Sequence, residues 1–369
     1  MKIGIITFHA AFNYGSMLQA YALQTYLKSM GHTGVIINFR TMKQKMTYSP
    51  PIYFGSFIKA LSSVKRLFLN PASIKGLNRK WNLFNIFLDK YLYLTKEYNT
   101  EDQLQNEHWN FDAIITGSDQ IWNTQAFDFS EVYFATFAPE IKKIAYAPSM
   151  GPHPEHLNDI YLKSLLKDFS AISVREKKTA DYLQKKRVVD NVRLVVDPTM
   201  LLSAKDYDIL FDKTPLIQKP YIFYYTPGHV REEFLKIADE IGVALDMKVV
   251  YDTKYSGLIM SKYKNFYSYP EVGPSEFLNL IYNADFVVGA SFHLIVFAIL
   301  FKKNFYCING DVDSRMNNLL TQLKLTDRII CVSDPLKKYL VDVDYTSADI
   351  ALNELRKQSY EYLYKNLVL

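Results

Sequence analysis

A chain of 369 residues with 49% hydrophobic and 15% aromatic side chains is too long for one ordinary core, so we expect roughly two globular domains. Its 43 basic and 38 acidic residues are interleaved and leave a formal net charge of only +5, which argues against nucleic acid as the main partner. Two cysteines imply neither a disulfide framework nor a cysteine-based metal site.

The opening MKIGIITF holds too short an apolar stretch for a signal peptide, and no later segment offers about 18 uncharged apolar residues in a row. We therefore expect a cytoplasmic protein, working freely or peripherally on the inner face of the membrane. Local basic patches still suit an anionic substrate.

The first part of the chain alternates between strand-like and helix-like segments. IGIITF is a β-branched run of strand length, and apolar residues then recur at helical spacing from about Ser16 until Gly31 ends the helix. TGVIINF predicts the next strand and completes a β-α-β unit. The alternation resumes with a strand at 111–116 and continues through KKIAYAPSMG, AISVREKKTADYL and VRLVVDPTMLL.

Residues 40–109 interrupt this alternation, and we interpret them as an insertion with helices near 56–69 and 79–89. Basic side chains are scattered here among Tyr, Phe and Trp, which is the composition of a membrane-surface patch and would suit a lipid-linked glycan acceptor. A solvated helical face or an oligomer contact explains the same composition. The basic residues are Lys43, Lys45, Lys59, Lys65, Arg66, Lys75, Arg79 and Lys80.

A second series of strands and helices begins at PYIFYYTPGH. It continues with a helix at 231–241, the strand DFVVG, the helix that contains His293, and the segments NFYCING, RMNNLLTQLKL and DRIICV. Strands that alternate with helices of about ten residues predict parallel sheets with helices on both faces. The fold class is therefore α/β, with two Rossmann-like doubly wound domains. We assign the first domain to 1–205, including the insertion, the second to 206–345, and a C-terminal helix to 346–369.

Polar residues cluster where these predicted strands end, which is the edge at which open parallel sheets bind ligands. A helix that begins there offers free N–H groups and the positive end of its dipole to a phosphate or carboxylate. The clusters are Asn13, Tyr14, Gly15 and Ser16 after the first strand, Gly117, Ser118 and Asp119 after the strand at 111–116, and Ser291, Phe292 and His293 after DFVVG.

None of these loops carries a common nucleotide or metal motif, since GxxxxGK[ST], GxGxxG, HExxH and CxxC are all absent from the sequence. His153 and His156 are close together beside Pro152 and Pro154, and we interpret this pair as a solvated turn rather than a metal site. We expect neither a metal nor a cofactor.

Six segments occur in a specific order at wide spacing: NYGSMLQAYALQTYL, ITGSDQIWN, IAYAPSMG, ISVRE, VVDPTMLL and GASFH. Together they resemble the polysaccharide pyruvyl transferase family over roughly residues 3–330, apart from the insertion. The resemblance implies a GT-B-like architecture, as in two-domain glycosyltransferases, with the site in the cleft that the domains face. It also implies transfer of pyruvate from phosphoenolpyruvate to a sugar, typically as a cyclic ketal across two hydroxyls. The sequence departs from the family pattern at Lys177-Lys178 and at Asn304, which concerns substrate identity more than reaction class.

Phosphoenolpyruvate carries a carboxylate and a phosphate, so a site for it needs cationic groups and N–H donors. Arg175, at the end of the AISV strand, is the leading candidate for holding one of them, and an ion pair with Glu176 explains its position equally well. Arg315, in the loop after NFYCING, is a weaker candidate because the next helix can use it as a surface charge.

His293 is the candidate acid–base group of this chemistry, because it lies at a strand end in a shared motif and histidine titrates near neutral pH. Its alternative role is that of a core or helix-capping residue. Asp119 is the candidate that orients or deprotonates a sugar hydroxyl, and helix capping or turn formation is the alternative role for Asp119, Asn13 and Ser16. The other binding candidates are Asn13 and Ser118 for sugar hydroxyls, Gly15 and Gly117 for close backbone approach, Ser16 and Ser291 beside them, and Tyr14 for stacking on a sugar, where core packing is the stronger explanation.

Two other functions stay open at this point. A nucleotide-sugar-dependent glycosyltransferase would have the same two-domain shape. A protein that recognises an anionic glycan without catalysis would need the same cationic groups. Binding of a nucleoside diphosphate distinguishes the first, and absence of phosphate release with every acceptor distinguishes the second.

Overall fold

The computed structural model describes residues 1–55, 57–69, 71–151, 158–228, 231–253, 262–333 and 342–368. Over these residues the chain folds into two six-stranded sheets, each parallel throughout. The α/β fold class with two Rossmann-like domains is thereby confirmed. The turn expected at His153 and His156 lies outside the described residues.

Short strands rich in β-branched and aromatic residues alternate with helices along the chain. The elements up to the end of the first sheet are β1 (Lys2–Ile6), α1 (Tyr14–Ser29), β2 (Thr33–Ile36), α2 (Met42–Thr47), α3 (Phe57–Leu69), α4 (Pro71–Tyr91), α5 (Glu101–Gln105), β3 (Ala113–Thr116), β4 (Lys142–Ala145), α6 (Asp159–Leu166), β5 (Phe169–Val174), α7 (Lys177–Lys185) and β6 (Val192–Leu194). The elements after it are β7 (Tyr221–Tyr225), α8 (Glu232–Leu245), β8 (Lys248–Tyr251), β9 (Phe266–Ser268), α9 (Pro274–Asn283), β10 (Phe286–Gly289), α10 (Phe292–Leu300), β11 (Asn304–Ile308), α11 (Ser314–Gln322), β12 (Ile329–Ile330) and α12 (Thr346–Leu367).

The order of the strands fixes where each sheet can bind a ligand. It is β2-β1-β3-β4-β5-β6 in the first sheet and β12-β11-β10-β7-β8-β9 in the second. After β1 and β2 the chain returns to place β3 on the other side of β1, and β10 stands in the same relation to β7. Doubly wound sheets bind ligands at such a reversal, outside the carboxyl ends of the two strands. We call the ends of β1 and β3 the first switch point, and the ends of β7 and β10 the second switch point.

The chain divides into two compact units that differ from the domains expected from the sequence. The expected first domain contained all of residues 40–109, and the C-terminal helix was expected to stand apart. In the structure most of that segment belongs to the unit of the second sheet, and most of α12 belongs to the unit of the first. The first unit is Met1–Tyr48, Leu88–Leu202 and Leu352–Leu369, and the second unit is Ser49–Phe87 and Ser203–Ala351.

Contacts between residues far apart in the chain underlie both differences. In α4, the Lys80 ammonium pairs with the Asp252 carboxylate at 2.8 Å, within the second unit. In α12, the Tyr362 hydroxyl donates to the carbonyl oxygen of Ala145 in β4 at 2.9 Å, within the first unit. Local sequence patterns carry no information about such pairings.

Each unit has its own hydrophobic core. In the first unit Trp122 stacks on Phe134 with ring centroids 5.1 Å apart. In the second unit α10 is buried along its whole length, from Phe292 to Leu300. Polar groups inside such cores are costly unless they have partners, so each one that is present calls for a physical reason. None of the described helices combines the length and the apolar character needed to cross a membrane.

Candidate functional site

The start of α1 forms one side of the first switch point. Asn13 is its N-cap, and the Asn13 side-chain oxygen accepts the backbone N–H groups of Gly15 at 2.9 Å and of Ser16 at 3.4 Å. This is the capping role that was the alternative to sugar binding for Asn13. Tyr14 is buried in the first turn of the helix, which favours core packing over stacking on a sugar.

The loop after β3 brings Asp119 to the start of α1. Gly117 in this loop has φ of 123°, and a Cβ atom there would lie 2.1 Å from the carbonyl oxygen of Tyr146, so the loop requires glycine. The Ser16 hydroxyl donates a hydrogen bond to Asp119 Oδ2 at 2.5 Å. The two polar clusters expected on separate loops, around Ser16 and around Asp119, therefore meet at the first switch point.

The Arg175 guanidinium is buried among three carboxylates in the first unit. Its Nε donates to Glu176 at 2.8 Å, and its Nη1 donates to Asp197 at 2.6 Å. Its Nη2 lies 3.6 Å from Asp119 Oδ1. Burial by itself would lower the pKa of this guanidinium, but the three negative charges raise that pKa above its ordinary value. The ion pair with Glu176, which was the alternative to a substrate clamp, is thus present within a larger network.

These three carboxylates differ in their access to solvent. The side chain of Asp119 is 12% exposed, whereas that of Glu176 is 3% exposed and that of Asp197 is 0% exposed. A fully buried carboxylate can hold the guanidinium but cannot meet a substrate. Asp119 is therefore the member through which the network can reach a ligand.

Ser118 is fully buried, and the protein engages its hydroxyl. The Ser118 Oγ lies 2.8 Å from the carbonyl oxygen of Ala147 and 3.2 Å from Asp197 Oδ2. A hydroxyl has one proton, so it donates to only one of these acceptors at a time. These contacts describe a residue that supports the loop, in place of the sugar contact for which its type made it a candidate.

Gln19 is a buried polar residue that sequence reasoning missed. Its side-chain nitrogen donates to Thr7 Oγ1 at 2.9 Å and to the Ser16 carbonyl at 2.9 Å, and its oxygen accepts the Ser118 backbone N–H at 3.2 Å. Gln19 therefore ties β1, α1 and the loop after β3 together. Its signal in the sequence was a glutamine on an otherwise apolar helix face, because buried amides occur where they have partners.

Asp128 is a second carboxylate near the first switch point that was not anticipated. It is buried, and Gln44 Nε2 donates to its Oδ2 at 3.1 Å. Burial raises the pKa of the Asp128 carboxyl, and the negative charge of Asp119 adds to this rise, against the opposing effect of the Gln44 hydrogen bond. A carboxyl that ionises less readily than usual can donate a proton or a hydrogen bond.

Three aromatic rings lie close to these carboxylates. The Tyr48 ring stacks on Phe12 with centroids 5.6 Å apart and meets Phe127 edge-on at 6.0 Å. Burial raises the pKa of the Tyr48 hydroxyl, and the charges of Asp128 and Asp119 raise it further, so all three groups share one electrostatic environment. Aromatic faces beside carboxylates offer both the apolar and the polar contacts that a sugar ring presents.

The second switch point lies where β10 ends and α10 begins. β7 and β10 approach so closely that a Cβ atom at Gly289 would lie 1.9 Å from the carbonyl oxygen of Tyr225. Ser291 occupies the N-cap position of α10, and His293 follows within its first turn. His293 is buried, and its ring packs edge-on against Phe292 with centroids 5.1 Å apart. The histidine therefore lies at the strand end and helix start expected from the sequence.

Arg315 belongs to the first turn of α11, also in the second unit. Its Nη2 donates to Asp313 Oδ2 at 2.6 Å and its Nε to Asp313 Oδ1 at 3.0 Å. Burial alone would raise the pKa of Asp313, but the two-point contact with Arg315 lowers it. The arginine is thus held by the N-cap residue of its own helix.

The structure accounts for two departures from the family pattern. Lys177 pairs with Asp181 at 2.7 Å, one turn along the exposed face of α7. Asn304 donates from Nδ2 to Asp342 at 2.7 Å and accepts the Val343 backbone N–H at 3.0 Å. Both residues have contacts that hold local structure.

Among the residues that the structure describes, no group of three or more His, Cys, Asp or Glu side chains is arranged to hold a metal ion. Asp119, Glu176 and Asp197 are instead gathered around Arg175.

Paired doubly wound parallel sheets are the architecture of GT-B glycosyltransferases and related epimerases, and solved structures of that class are similar to this chain. A UDP-GlcNAc 2-epimerase from Methanocaldococcus jannaschii is 14% identical with a TM-score of 0.51, covering 96% of this chain and 92% of its own. The UDP-GlcNAc 2-epimerase from Neisseria meningitidis is 11% identical with a TM-score of 0.50, and the match covers 100% of this chain and 95% of the epimerase. An α-glucosyltransferase solved with UDP and DNA is 9% identical, also with a TM-score of 0.50, and the match covers 99% of this chain and 95% of the transferase. These likenesses show the fold.

The sequence is more informative about activity than these structures are. The family model described as polysaccharide pyruvyl transferase matches residues 13–312, which span both sheets. The chain belongs to the polysaccharide pyruvyl transferase family, an enzyme family of polysaccharide modification. The family expected from the six sequence segments is thereby confirmed. No curated protein matches the chain.

Proposed function

We propose that the protein transfers pyruvate from phosphoenolpyruvate onto a sugar of a surface-polysaccharide precursor, forming a pyruvate ketal and releasing phosphate. Membership of the pyruvyl transferase family supports this activity. The observation that carries the acceptor side is the bonded pair of Ser16 and Asp119 at the first switch point, where Asp119 is the solvent-accessible member of the Arg175 network. No cofactor takes part in the proposed reaction.

The chemistry divides between an acid and a base. A proton is delivered to the methylene carbon of phosphoenolpyruvate, which makes the central carbon electrophilic, and a sugar hydroxyl adds to that carbon. The C–O bond to phosphate then breaks, and a second hydroxyl closes the ketal. The two sugar hydroxyls release two protons. One of them re-protonates the acid that gave its proton to the new methyl group, and the other leaves with inorganic phosphate. We assign the first proton delivery to His293 and the acceptance of a hydroxyl proton to Asp119.

Arg175 acts in this proposal as a positioning residue. Its guanidinium holds Glu176 and Asp197 by direct hydrogen bonds and lies within ion-pair distance of Asp119. A carboxylate that must meet a hydroxyl in one orientation benefits from such fixed neighbours. Gly117 and Ser118 support the same loop.

The phosphoenolpyruvate anion is assigned to the second switch point. Ser291 and the first-turn N–H groups of α10 offer hydrogen bonds and the positive end of the helix dipole beside His293. Arg315 contributes positive charge there only in part, because Asp313 already holds it. Asn13 and Gly15 stay assigned to the acceptor through the start of α1, and the proposal gives the buried Tyr14 a packing role in place of a sugar contact.

The acceptor is proposed to be lipid-linked, so the enzyme works in the cytoplasm at the inner face of the membrane. The basic and aromatic composition of residues 40–109 supports this assignment. Soluble glycosides that carry the same sugar should still react, because the proposed chemistry involves only the sugar hydroxyls.

One reaction in D₂O, with ¹⁸O in the bridging position of phosphoenolpyruvate, tests the proposal. The acid exchanges with solvent before it donates, so mass spectrometry should show deuterium in the pyruvyl methyl group and the label in inorganic phosphate. A methyl group without deuterium would exclude a solvent-exchangeable acid. Label retained in the sugar product would mean cleavage of the P–O bond and a different reaction.

Ligand-induced stabilisation separates the proposal from its two alternatives. Phosphoenolpyruvate should raise the melting temperature without added metal. Stabilisation that requires Mg²⁺ or a nucleotide sugar would favour a glycosyltransferase, the activity named for one fold relative. Stabilisation by an anionic glycan with no phosphate release from any acceptor would favour a binding protein.

A further inference from the structure

Helix α3 carries its apolar residues on the side that faces solvent. Phe57 is 86% exposed and Phe68 is 81% exposed, and Leu61 and Val64 between them are exposed as well. Their spacing of four, three and four residues places all four side chains on one face of the helix. Among the α3 side chains whose burial the structure describes, the buried one is Ser63, which is 2% exposed.

Hydrogen bonds fix this inverted arrangement. The Ser63 hydroxyl accepts the Tyr53 backbone N–H at 2.9 Å, and its one proton is shared between the carbonyl oxygens of Lys59 at 2.7 Å and Tyr53 at 3.1 Å. Ser63 is thus bonded to Tyr53 of the same unit, and the four apolar side chains are left exposed to solvent. Contiguous exposed apolar surface of this kind marks an interaction site on a soluble domain.

The part of the sequence that holds this face is basic. The first acidic residue of the whole sequence is Asp89, so no carboxylate occurs in residues 1–88. Lys65 of α3 and Lys75 of α4 are exposed basic residues of the same segment of the second unit. An apolar face on a helix whose own sequence has basic and no acidic residues is complementary to a surface that is apolar inside and anionic outside.

A second copy of the chain fits this face less well. A symmetric dimer would bring identical patches together, so Lys65 would approach its own copy. The surrounding segment has no carboxylate with which to neutralise that contact. A bilayer with anionic headgroups supplies both the apolar depth for the phenylalanines and the negative charge for the lysines.

We propose that α3 is a membrane-docking helix, which lies in the interface of an anionic phospholipid bilayer with Phe57, Leu61, Val64 and Phe68 inserted among the acyl chains. Because α4 follows α3 directly and the Lys80–Asp252 ion pair fixes α4 to the second unit, docking of α3 anchors that unit at the membrane. This inference rests on the proposed function in one respect, which is that the sugar acceptor is attached to a membrane lipid.

The test is cosedimentation with vesicles of phosphatidylcholine alone and of phosphatidylcholine with about one third phosphatidylglycerol. The wild-type protein should bind the anionic vesicles, less tightly at high salt, and should not bind the neutral ones. The double variant Phe57→Ser/Phe68→Ser should bind at least about tenfold less tightly, since each exposed ring contributes apolar insertion. Ile160→Ser/Ile350→Ser is the matched control, because these residues are similarly exposed elsewhere, and it should bind like the wild type.

Three results would overturn the proposal: no vesicle binding by the wild-type protein, equal binding by the Phe57→Ser/Phe68→Ser variant, or equal loss in the control. A dimer in sedimentation velocity that this variant dissolves, without any vesicle binding, would assign the face to self-association instead. Pyruvyl transfer to a soluble glycoside should be the same in all these variants. Failure of that transfer in the wild type would count against the proposed function and leave the vesicle result as it stands.

Discussion

The two switch points of this protein use polar residues in opposite ways. At the first, charged and amide side chains are numerous and bond mainly to one another, and Asp119 links them to the neighbouring network of Arg175 with Glu176 and Asp197. At the second, His293 begins a helix whose other residues, from Phe292 to Leu300, are all apolar and buried. The same location at a strand end thus holds a polar network in one unit and the single titratable side chain of an apolar helix in the other.

This difference bears on how polar residues at strand ends should be interpreted. Buried charges are stable only with partners, so a cluster of them explains its own presence. His293 is the one polar side chain of its helix, and the proposed function gives it the role of an acid. Only the edge of the first network, at Asp119, has the access to solvent that substrate contact needs.

Arg175→Met should break the first network and gives the largest expected effect. It would leave three carboxylates around an apolar side chain, and loss of one partner from a buried ion pair costs about 3–5 kcal/mol of unfolding free energy. Urea denaturation measures this loss. Arg315→Met is the matched control, because Arg315 is paired with one carboxylate and is partly exposed, so a loss of about 1 kcal/mol or less is expected. Equal losses in the two variants would contradict the network.

His293→Gln should separate function from stability at the second switch point. The expected result is a decrease in kcat on the order of 10²-fold with an almost unchanged melting temperature, because glutamine keeps a polar side chain there but cannot donate a proton. His9→Gln, in the buried loop that follows β1, is the comparison: it should lower the melting temperature while the folded enzyme keeps most of its kcat. If His293→Gln retains full kcat, the acid–base assignment is wrong.

Most of the fold could be predicted from the sequence, because strand and helix alternation is a local property. The helix expected at 56–69 is observed at Phe57–Leu69, and the strand expected at 111–116 is observed at Ala113–Thr116. The assignment of residues 49–87 to the second unit could not be predicted. It depends on contacts such as that of Lys80 with Asp252, which are 172 positions apart in the chain.

The candidate site was predictable in its location and less so in its members. Strand ends and helix starts identified Ser16, Asp119, Arg175 and His293 before any contact was known. The buried supporting residues were missed. Asp197 is an example, because an aspartate before a proline is equally typical of the start of a turn and of a buried partner for an arginine. The contact with Arg175 that distinguishes the two cases is tertiary.

Ser16→Ala and Asp119→Asn should sharpen the picture of the first switch point. Asp119→Asn removes the proposed base and should lower kcat by roughly tenfold to a hundredfold. Ser16→Ala removes one hydrogen bond of 2.5 Å to that carboxylate, and a loss of about 0.5–1.5 kcal/mol predicts a smaller decrease of a few-fold to tenfold. Steady-state kinetics of the double variant should show little loss beyond Asp119→Asn alone, since the hydroxyl acts through the carboxylate. Fully additive losses would mean that Ser16 acts independently of Asp119.

The smallest expected effect concerns His9, the buried histidine of the first unit. Its Nδ1 lies 3.2 Å from the Thr7 carbonyl and its Nε2 lies 2.9 Å from the Asn38 side-chain oxygen. Burial lowers the pKa of the His9 imidazole below 6.5, although these hydrogen bonds oppose the shift. Between the lowered value and 6.5 the unfolded chain binds more protons than the folded chain, so the stability that His9 contributes is present above pH 6.5 and is lost as the pH falls. The slope of the unfolding free energy against pH cannot exceed about 1.4 kcal/mol per pH unit for one proton.

Melting temperatures measured from about pH 7 down to about pH 5 should fall less steeply for His9→Gln than for the wild type, whereas the exposed-site control His108→Gln should follow the wild type. Identical slopes for the wild type and His9→Gln would show that His9 is not the residue whose protonation destabilises the first unit.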